Sequence, residues 1–466
     1  MRAGAPVMRI KTAALMAGPA AAVGVWLAMI AGGASPAAAV TLGVAALCVL
    51  WWVLEPIPIP VTSLVPLAVL PMSGVLSAAE VGQAYGHPVV LLLLGGFILS
   101  TAMARSGAHR RIALALLHRV GSGSSRRVVF GFMIAAAALS MWISNTATTL
   151  MMLPVALAVL ERARDPKLAP ALLLGIAYAA NIGGVGTPVG TPPNMIFRGI
   201  YEESFGVTIG FGEWMALGLP VVLVFLPLMA LWLTRRVGYE GALDLPETGA
   251  WRPEEKRVFT VFGLTALAWI TRVEPMGGWT ALFGLPYTND AMVAFFAVVA
   301  LFIVPDGKGG RLLDWETAAK IPWGMLILFG AGLAIAAAFK TSGLSESIGG
   351  AVSMISAWPV FAIILAICLA VTFLTEATSN TATTSLLMPI LAAAAVGAAL
   401  DPRLLMIPAA MSASCAFMLP VATAPNVIVF STGRFTTRRM IREGLALNLI
   451  GALVISSLCY LYFGGD

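Results

Sequence analysis

The sequence predicts an all-α polytopic membrane protein of about eleven transmembrane helices plus two re-entrant hairpins, arranged as two inverted-topology repeats. Three observations lead there. First, the 466 residues are 59% hydrophobic and only 11% charged, with a mean hydropathy of +0.92; soluble chains carry about 25% charged residues. Second, apolar runs of about 18 residues or more recur along the whole length without the period-two alternation of barrel strands. Third, the hexapeptide Ser144-Asn145-Thr146-Ala147-Thr148-Thr149 returns as Ser379-Asn380-Thr381-Ala382-Thr383-Thr384, and each copy leads into an apolar segment with a proline, Pro154 and Pro389.

Taken in order, spans are expected near 12–31, 37–54, 59–76 and 88–104. A basic amphipathic segment near 105–120 follows and reads as an interfacial helix against anionic lipid. An apolar stretch over 127–160 is interrupted by the first Ser-Asn-Thr. A span near 169–196 is broken by glycines and prolines, and another lies near 212–234. The second half has spans near 258–272, 287–304 and 317–340 and an amphipathic segment near 343–356. It closes with an interrupted stretch over 358–398, a broken span near 403–430 and a last span near 443–463. The segment Ala34-Ser35-Pro36-Ala37-Ala38-Ala39 could pass for a cleavage site, but the run before it is long enough to span and is read as a retained helix.

Charge distinguishes hairpins from full crossings. If the two interrupted stretches enter and leave on one side, the N-terminus is cytoplasmic and the C-terminus outside. The basic clusters then share one face: the N-terminus, Arg105 to Arg127, Arg162 to Lys167, Arg235 to Arg257, Lys308 to Lys320 and Arg434 to Arg442. They hold 24 of the 28 Lys and Arg residues, leaving Arg198, Arg272, Lys340 and Arg403. That asymmetry is the positive-inside pattern, and it accounts for the net charge of +6 without nucleic acid. Cys48, Cys368, Cys415 and Cys459 lack metal-ligand spacing and read as buried free thiols.

The repeat extends past the hexapeptide. Leu93-Leu94-Gly95-Gly96-Phe97 through Arg105-Ser106-Gly107 resembles Leu328-Phe329-Gly330-Ala331-Gly332 through Thr341-Ser342-Gly343, and Gly190-Thr191-Pro192-Pro193-Asn194 resembles Ala422-Thr423-Ala424-Pro425-Asn426. One copy of a Ser/Thr run would read as packing between membrane helices. Two copies at matched positions, each followed by its own helix break, read as one site made of two halves. Ser, Asn and Thr oxygens can coordinate Na⁺, and their hydrogens can donate to a carboxylate. Helix N-termini at the tips add positive potential for an anion, and freed carbonyls favour a cation. Pro192 and Pro193 remove backbone donors at the first break, and Asn194 and Asn426 are expected to cap the broken halves.

Other residues carry weaker signals. Glu376 reads as a structural acceptor for the second tip, with a proton or ion role as the alternative; Met141 stands at its place in the first repeat. Trp142 is assigned to hairpin packing, His87, His109 and His118 to solvated positions, and Glu55 to a cap in the proline-rich connector.

At these residues the chain resembles the divalent anion/sodium symporter family of dicarboxylate, citrate and sulfate carriers. The likeness rests on both Ser-Asn-Thr tips, both break segments, Met141-Trp142-Ile143 and the Gly95-Gly96 to Gly107 block, and it covers nearly the whole chain. The resemblance implies a homodimer in the lipid bilayer of the cytoplasmic (inner) membrane, with elevator-type movement of a transport domain against a scaffold. Residues 1–120 would be scaffold helices and the interfacial helix of repeat 1, and 121–236 its transport-domain part. Residues 237–356 and 357–466 would repeat that division. One sodium site would use Ser140, Ser144, Asn145 and Gly190, the other Thr375, Ser379, Asn380 and Ala422. Substrate carboxylates would meet Asn145, Thr146, Asn380 and Thr381, with Thr191 and Thr423 helping to set specificity. One departure is Ala424, where the family usually has proline; the remaining Pro425 is expected to keep the break.

The expected activity is Na⁺-coupled import of small dianions, C4-dicarboxylates such as succinate, malate or fumarate first. A sodium-independent exchanger and a sulfate or citrate carrier stay open. The absence of Lys or Arg from the tip and break motifs favours sodium. A membrane enzyme would need a nucleophile with a base or a metal site, and neither His-Glu-x-x-His nor Gly-x-Ser-x-Gly occurs.

Overall fold

The computed structural model describes residues 4–121, 123–163, 165–238, 249–273, 277–344 and 358–464. Among the described residues the regular elements are all helices, with one isolated bridge, Pro305 to Arg311. Among them nine helices are long and apolar enough to cross a membrane. Shorter apolar helices cover Ile59–Met72, Asn145–Glu161 and Asp290–Ile303. Helix starts follow the local chemistry: Ser35, Ser124, Asn289, Asp314 and Thr436 each accept a backbone N–H from the first turn they precede, the usual role of such side chains.

Both interrupted stretches fold as helical hairpins. The first pairs Ser125–Ser140 with Asn145–Arg162, and the second pairs Val360–Ala377 with Asn380–Gly397. Both broken spans are also as expected. Leu168–Gly183 ends in a short 3-10 turn before Pro192–Phe205 begins. Pro402–Ser412 is followed by an irregular stretch, a 3-10 turn at 420–422, and Ala424–Phe430. Ala424 does not abolish the second break. Thr423 and Thr191 have nearly the same extended backbone, φ −142° and ψ 154° against φ −147° and ψ 143°, so a proline at the first helical position is not required there.

The halves interlock. Helix Pro192–Phe205 packs on the second hairpin's Asn380–Gly397, and Ala424–Phe430 packs on the first hairpin's Asn145–Arg162. At the centre lies Leu168–Gly183, in which Ala169 alone is not buried. Each unwound stretch is met closely by the second helix after it, Phe211–Thr234 or Thr437–Phe463: a Cβ on Gly218 would lie 2.4 Å from the Val185 carbonyl, and one on Gly444 would lie 2.2 Å from that of Phe417. Outward, Leu223, Leu231, Leu264, Leu267, Phe296 and Leu461 are exposed, apolar surface of the kind hydrocarbon solvates.

Two expectations need correction, and a third lies largely outside the described residues. The span near 59–76 is two short helices, Ile59–Thr62 and Val65–Met72, because Pro60 and Pro66 sit in helix first turns and restart the chain there. His109 is buried rather than solvated, its Nδ1 3.0 Å from the Met103 carbonyl, and His87 is half-buried, accepting the Val89 N–H. The amphipathic segment near 343–356 falls for the most part outside the described residues. The four cysteines are buried and free, and the N-terminal helix docks on its neighbour through Trp51 Nε1 to the Ala14 carbonyl, 3.0 Å.

Five of the six basic clusters meet at one end of the molecule. Arg105 pairs with Asp314, Arg111 with Glu255 at 2.7 Å, and Arg235 with Glu443 at 2.7 Å. Asp165 accepts the Gly238 N–H at 2.7 Å. The four exceptions are each accommodated. Arg198 and Arg272 both hold Asp290, at 2.9 and 2.6 Å. Lys340 donates to the Glu203 carbonyl, and Arg403 pairs with Asp401 beside the Phe463 ring.

Candidate functional site

The hairpin tips and the helix breaks converge on one cavity of about 830 Å³. Its walls include Ser144, Asn145 and Thr146 from the first tip and Ser379, Asn380 and Thr381 from the second. The breaks contribute Gly190, Thr191, Pro192 and Pro193, then Ala422, Thr423, Ala424 and Pro425. Four helices therefore begin at this cavity, those starting at Asn145, Pro192, Asn380 and Ala424. The positive ends of their dipoles face the same space, which favours an anion. No Lys, Arg or His lines it among the described residues, and its one ionisable wall residue is Glu55.

The two tips are built alike. Ser140 Oγ donates to Asn145 Oδ1, and Thr375 Oγ1 donates to Asn380 Oδ1 at 2.7 Å. One turn further on, Thr149 and Thr384 return their hydroxyls to the Asn145 and Asn380 carbonyls at 2.8 and 2.7 Å. Each tip amide is thereby held with its oxygen toward the end of the preceding helix. The breaks are pinned alike as well. Asn194 Nδ2 donates to the carbonyls of Gly184 (2.9 Å) and Thr187 (2.7 Å), and Asn426 Nδ2 to those of Ala416 (2.9 Å) and Leu419 (3.0 Å). Asn194 thereby caps the C-terminal end of Leu168–Gly183 at Gly184, as expected, whereas Asn426 binds carbonyls within the unwound stretch rather than a helix end.

Behind the first tip, oxygens crowd together. A Cβ on Gly184 would lie 3.0 Å from the Gly190 carbonyl oxygen and 3.1 Å from Asn145 Oδ1, and one on Gly190 would lie 2.5 Å from the Gly184 carbonyl and 2.9 Å from that of Met141. Only glycine leaves this cradle open. Neutral oxygens gathered where backbone leaves a helix suit a hard monovalent cation. Behind the second tip, Thr375 Oγ1 also lies 3.2 Å from the Ala413 carbonyl oxygen. The hydroxyls of Ser412 and Ser414 and Oδ1 of Asn426 are buried nearby in sequence without protein partners.

Of the residues singled out from sequence, Ser140, Asn145 and Gly190 come together, as do Thr375 and Asn380. Ser144 lines the cavity while its hydroxyl accepts the Ala147 N–H at 3.2 Å. Ser379 and Ala422 line the cavity too. Trp142 packs not within its hairpin but on Phe211 and edge-on to Phe262 of other helices, and it also lines the cavity. Glu55 does more than end its helix: it takes a left-handed φ of 45° and stands in the cavity wall.

Glu376 is a structural acceptor, though for the unwound stretch at 417–419 and Asn448 rather than for the second tip. Its Oε1 takes the Phe417 and Met418 N–H groups, both at 2.7 Å, and Asn448 Nδ2 at 2.8 Å; its Oε2 takes the Leu419 N–H at 2.9 Å. This carboxylate orders the unwound stretch before the second break. In the first repeat the Met141 carbonyl performs part of that task by accepting the Thr187 hydroxyl.

Sequence reasoning missed Asn181, Gly184 and Thr187. Asn181 was detectable as a lone amide inside an apolar run, the kind of residue that membrane helices place with a purpose. Gly184 and Thr187 carried no comparable signal.

An all-helical, lipid-adapted fold with two pseudo-symmetric half-sites closing on one polar cavity defines a membrane transporter rather than an enzyme. A family model described as citrate transporter matches residues 49–404, and the chain belongs to that family. It is 42% identical to a sodium-dependent dicarboxylate transporter of Staphylococcus saprophyticus over 91% of this chain and 85% of that protein. It is 40% identical to one from Staphylococcus aureus strain USA300 over 91% and 84%. Among solved structures it resembles the Alcanivorax borkumensis YdaH transporter (TM-score 0.53, 14% identity, 85% of this chain and 88% of that one). It also resembles Neisseria gonorrhoeae MtrF (TM-score 0.57, 14% identity, 83% and 84%). At that identity these two share the fold.

Proposed function

We propose that this protein is a sodium-coupled symporter importing small dianions, C4-dicarboxylates such as succinate, malate or fumarate first. The observation that carries the reading is a cavity faced by four helix N-termini and lined by no basic side chain. A dianion entering such a space needs countercharge; helix dipoles are screened partial charges that fall off within a turn, and the wall adds an acidic residue, Glu55. Co-bound Na⁺ supplies the rest. The relatives' names, sodium-dependent dicarboxylate transporters, point the same way.

In this reading one Na⁺ sits behind the first tip against Ser140, Ser144, Asn145 and the Gly190 backbone. The other sits behind the second, against Thr375, Ser379, Asn380 and the Ala422 backbone. The substrate carboxylates take hydrogen bonds from Asn145, Thr146, Asn380 and Thr381, with Thr191 and Thr423 at the flanks. Sodium comes first: its charge draws each tip amide oxygen inward, which turns the amide N–H₂ to the anion. Residues 121–236 and 357–466 form the moving body and residues 1–120 and 237–356 the scaffold of a homodimer, with elevator motion carrying the loaded cavity across the cytoplasmic membrane. The N-terminus and the joined basic clusters face the cytoplasm and the C-terminus lies outside, supported by the positive-inside pattern.

Uptake of labelled succinate into proteoliposomes tests this, with an inward Na⁺ gradient or with K⁺ in its place, and with or without internal succinate. Na⁺-dependent uptake into empty vesicles is expected. Uptake confined to preloaded vesicles and indifferent to Na⁺ would make it an exchanger and overturn the cation assignment.

A further inference from the structure

The two half-sites are not equal, and Asn181 makes the difference. It lies in the first half, on the buried helix Leu168–Gly183, 1% exposed and in the cavity wall. Its Nδ2 donates to Thr423 Oγ1 of the second half at 3.1 Å, across 242 residues of chain. The same hydroxyl oxygen accepts the Asn426 N–H at 3.3 Å. A hydroxyl has two acceptor lone pairs and one proton. With both acceptor positions taken by N–H groups, the Thr423 proton is left to donate to whatever the cavity holds.

Thr191, the counterpart of Thr423, accepts no N–H from its helix start through its side chain. The residue matching Asn181 at the spacing that relates Asn194 to Asn426 is Ala413, which has no side-chain donor. The twofold pattern that governs the tip and break asparagines therefore stops at Asn181.

We infer that Asn181 is a positioning residue that fixes the Thr423 hydroxyl as a committed donor to one carboxylate of the transported dianion. This rests on the dianion reading above. A donor held in place spares the substrate the ordering of a free rotor and disfavours a cation or a hydroxyl hydrogen at that spot.

The test is a double-mutant cycle on purified protein. Asn181→Ala, Thr423→Val and the pair are titrated with succinate, citrate and sulfate in saturating Na⁺, following the rise in Tm. Na⁺ alone is titrated in parallel. Each single variant is expected to weaken anion binding about tenfold, the scale of one hydrogen bond to a charged group. The pair should be no worse than Thr423→Val, because Asn181 acts through that hydroxyl. The Na⁺-only shift should stay as in the wild type, which a general loss of packing would not allow. A wild type stabilised by an anion, with the two losses multiplying in the double variant or with the Na⁺ response falling alongside, overturns the inference alone. A wild type indifferent to all three anions overturns the dianion reading and this inference with it.

Discussion

The Glu376 carboxylate receives the Phe417 N–H at 2.7 Å, from a residue 41 positions along the chain. With Met418, Leu419 and Asn448 also donating, a charge buried beside the second hairpin tip becomes the nucleus around which an unwound stretch is ordered. A carboxylate accepting several N–H groups is a well-compensated buried anion.

Removing that acceptor strands buried donors, each at a cost of about 1–3 kcal/mol. Glu376→Ala is expected to lower Tm by several degrees or prevent folding, and Glu376→Gln, which keeps one acceptor oxygen, should fall between. Unfolding followed by tryptophan fluorescence reads this directly. A Glu376→Ala protein that melts with the wild type contradicts the structural role.

Asn145 and Asn380 occupy equivalent tips, so each should be indispensable to transport. Asn145→Ala or Asn380→Ala is expected to abolish Na⁺-driven uptake while the protein stays folded by gel filtration. Near-normal uptake in both variants would remove the tips from the site.

Gly190 tests the oxygen cradle by sterics. A Cβ there would stand 2.5 Å from the Gly184 carbonyl, well inside contact distance. Gly190→Ala is expected to raise the Na⁺ concentration for half-maximal uptake at least about tenfold, or to abolish uptake, as a displaced coordination oxygen would. Gly82→Ala, where a Cβ meets nothing within 4 Å, is the control. Equal Na⁺ dependence in the two variants would place the ion elsewhere.

Asp290 is held between Arg198 and Arg272, all three largely enclosed. Breaking a buried pair by removing one partner costs about 3–5 kcal/mol. Arg198→Ala should therefore lower Tm more than Arg403→Ala, whose pair with Asp401 is half-exposed. Denaturant unfolding of the two variants decides, and a smaller loss at Arg198 would count against an enclosed pair.

Glu255 couples the basic helix Ala108–Val120 to the helix that starts at Pro253. Burial pushes its carboxyl up, but hydrogen bonds from Arg111 and Arg252 outweigh it and hold it at about 2. Its folded value lies below the ordinary carboxylate range, so its stabilisation is complete above about pH 4.5 and fades as pH falls toward 2. The Tm gap between wild type and Glu255→Gln should be flat from neutral pH to about pH 5 and close below it. A gap that widens in acid would reverse the sign of the shift.

Much of the architecture was legible in the chain. Apolar runs marked helices because hydrocarbon forces the backbone to satisfy itself. The repeated hexapeptide and the two Thr-x-Pro-Asn segments marked tips and breaks because hydroxyl, amide and proline residues have few other uses in a membrane helix. Basic residues marked one face. Less legible were the split at Pro60 to Pro66, where several prolines offered more than one restart, and His109, whose carbonyl partner Met103 gives no sign of itself in a linear reading.

What the sequence determined by itself was the class of protein, the twofold repeat and the residue types that line the cavity, since each follows from local pattern and composition. Only the tertiary structure decided how those residues divide their bonds. It alone made Glu376 a scaffold for a distant stretch, turned Asn426 backward across its break, and joined Asn181 to Thr423 across the two halves. The physical reason is that helix formation is decided within a few residues, whereas a hydrogen bond between residues 41 or 242 positions apart exists only after packing has brought the helices together.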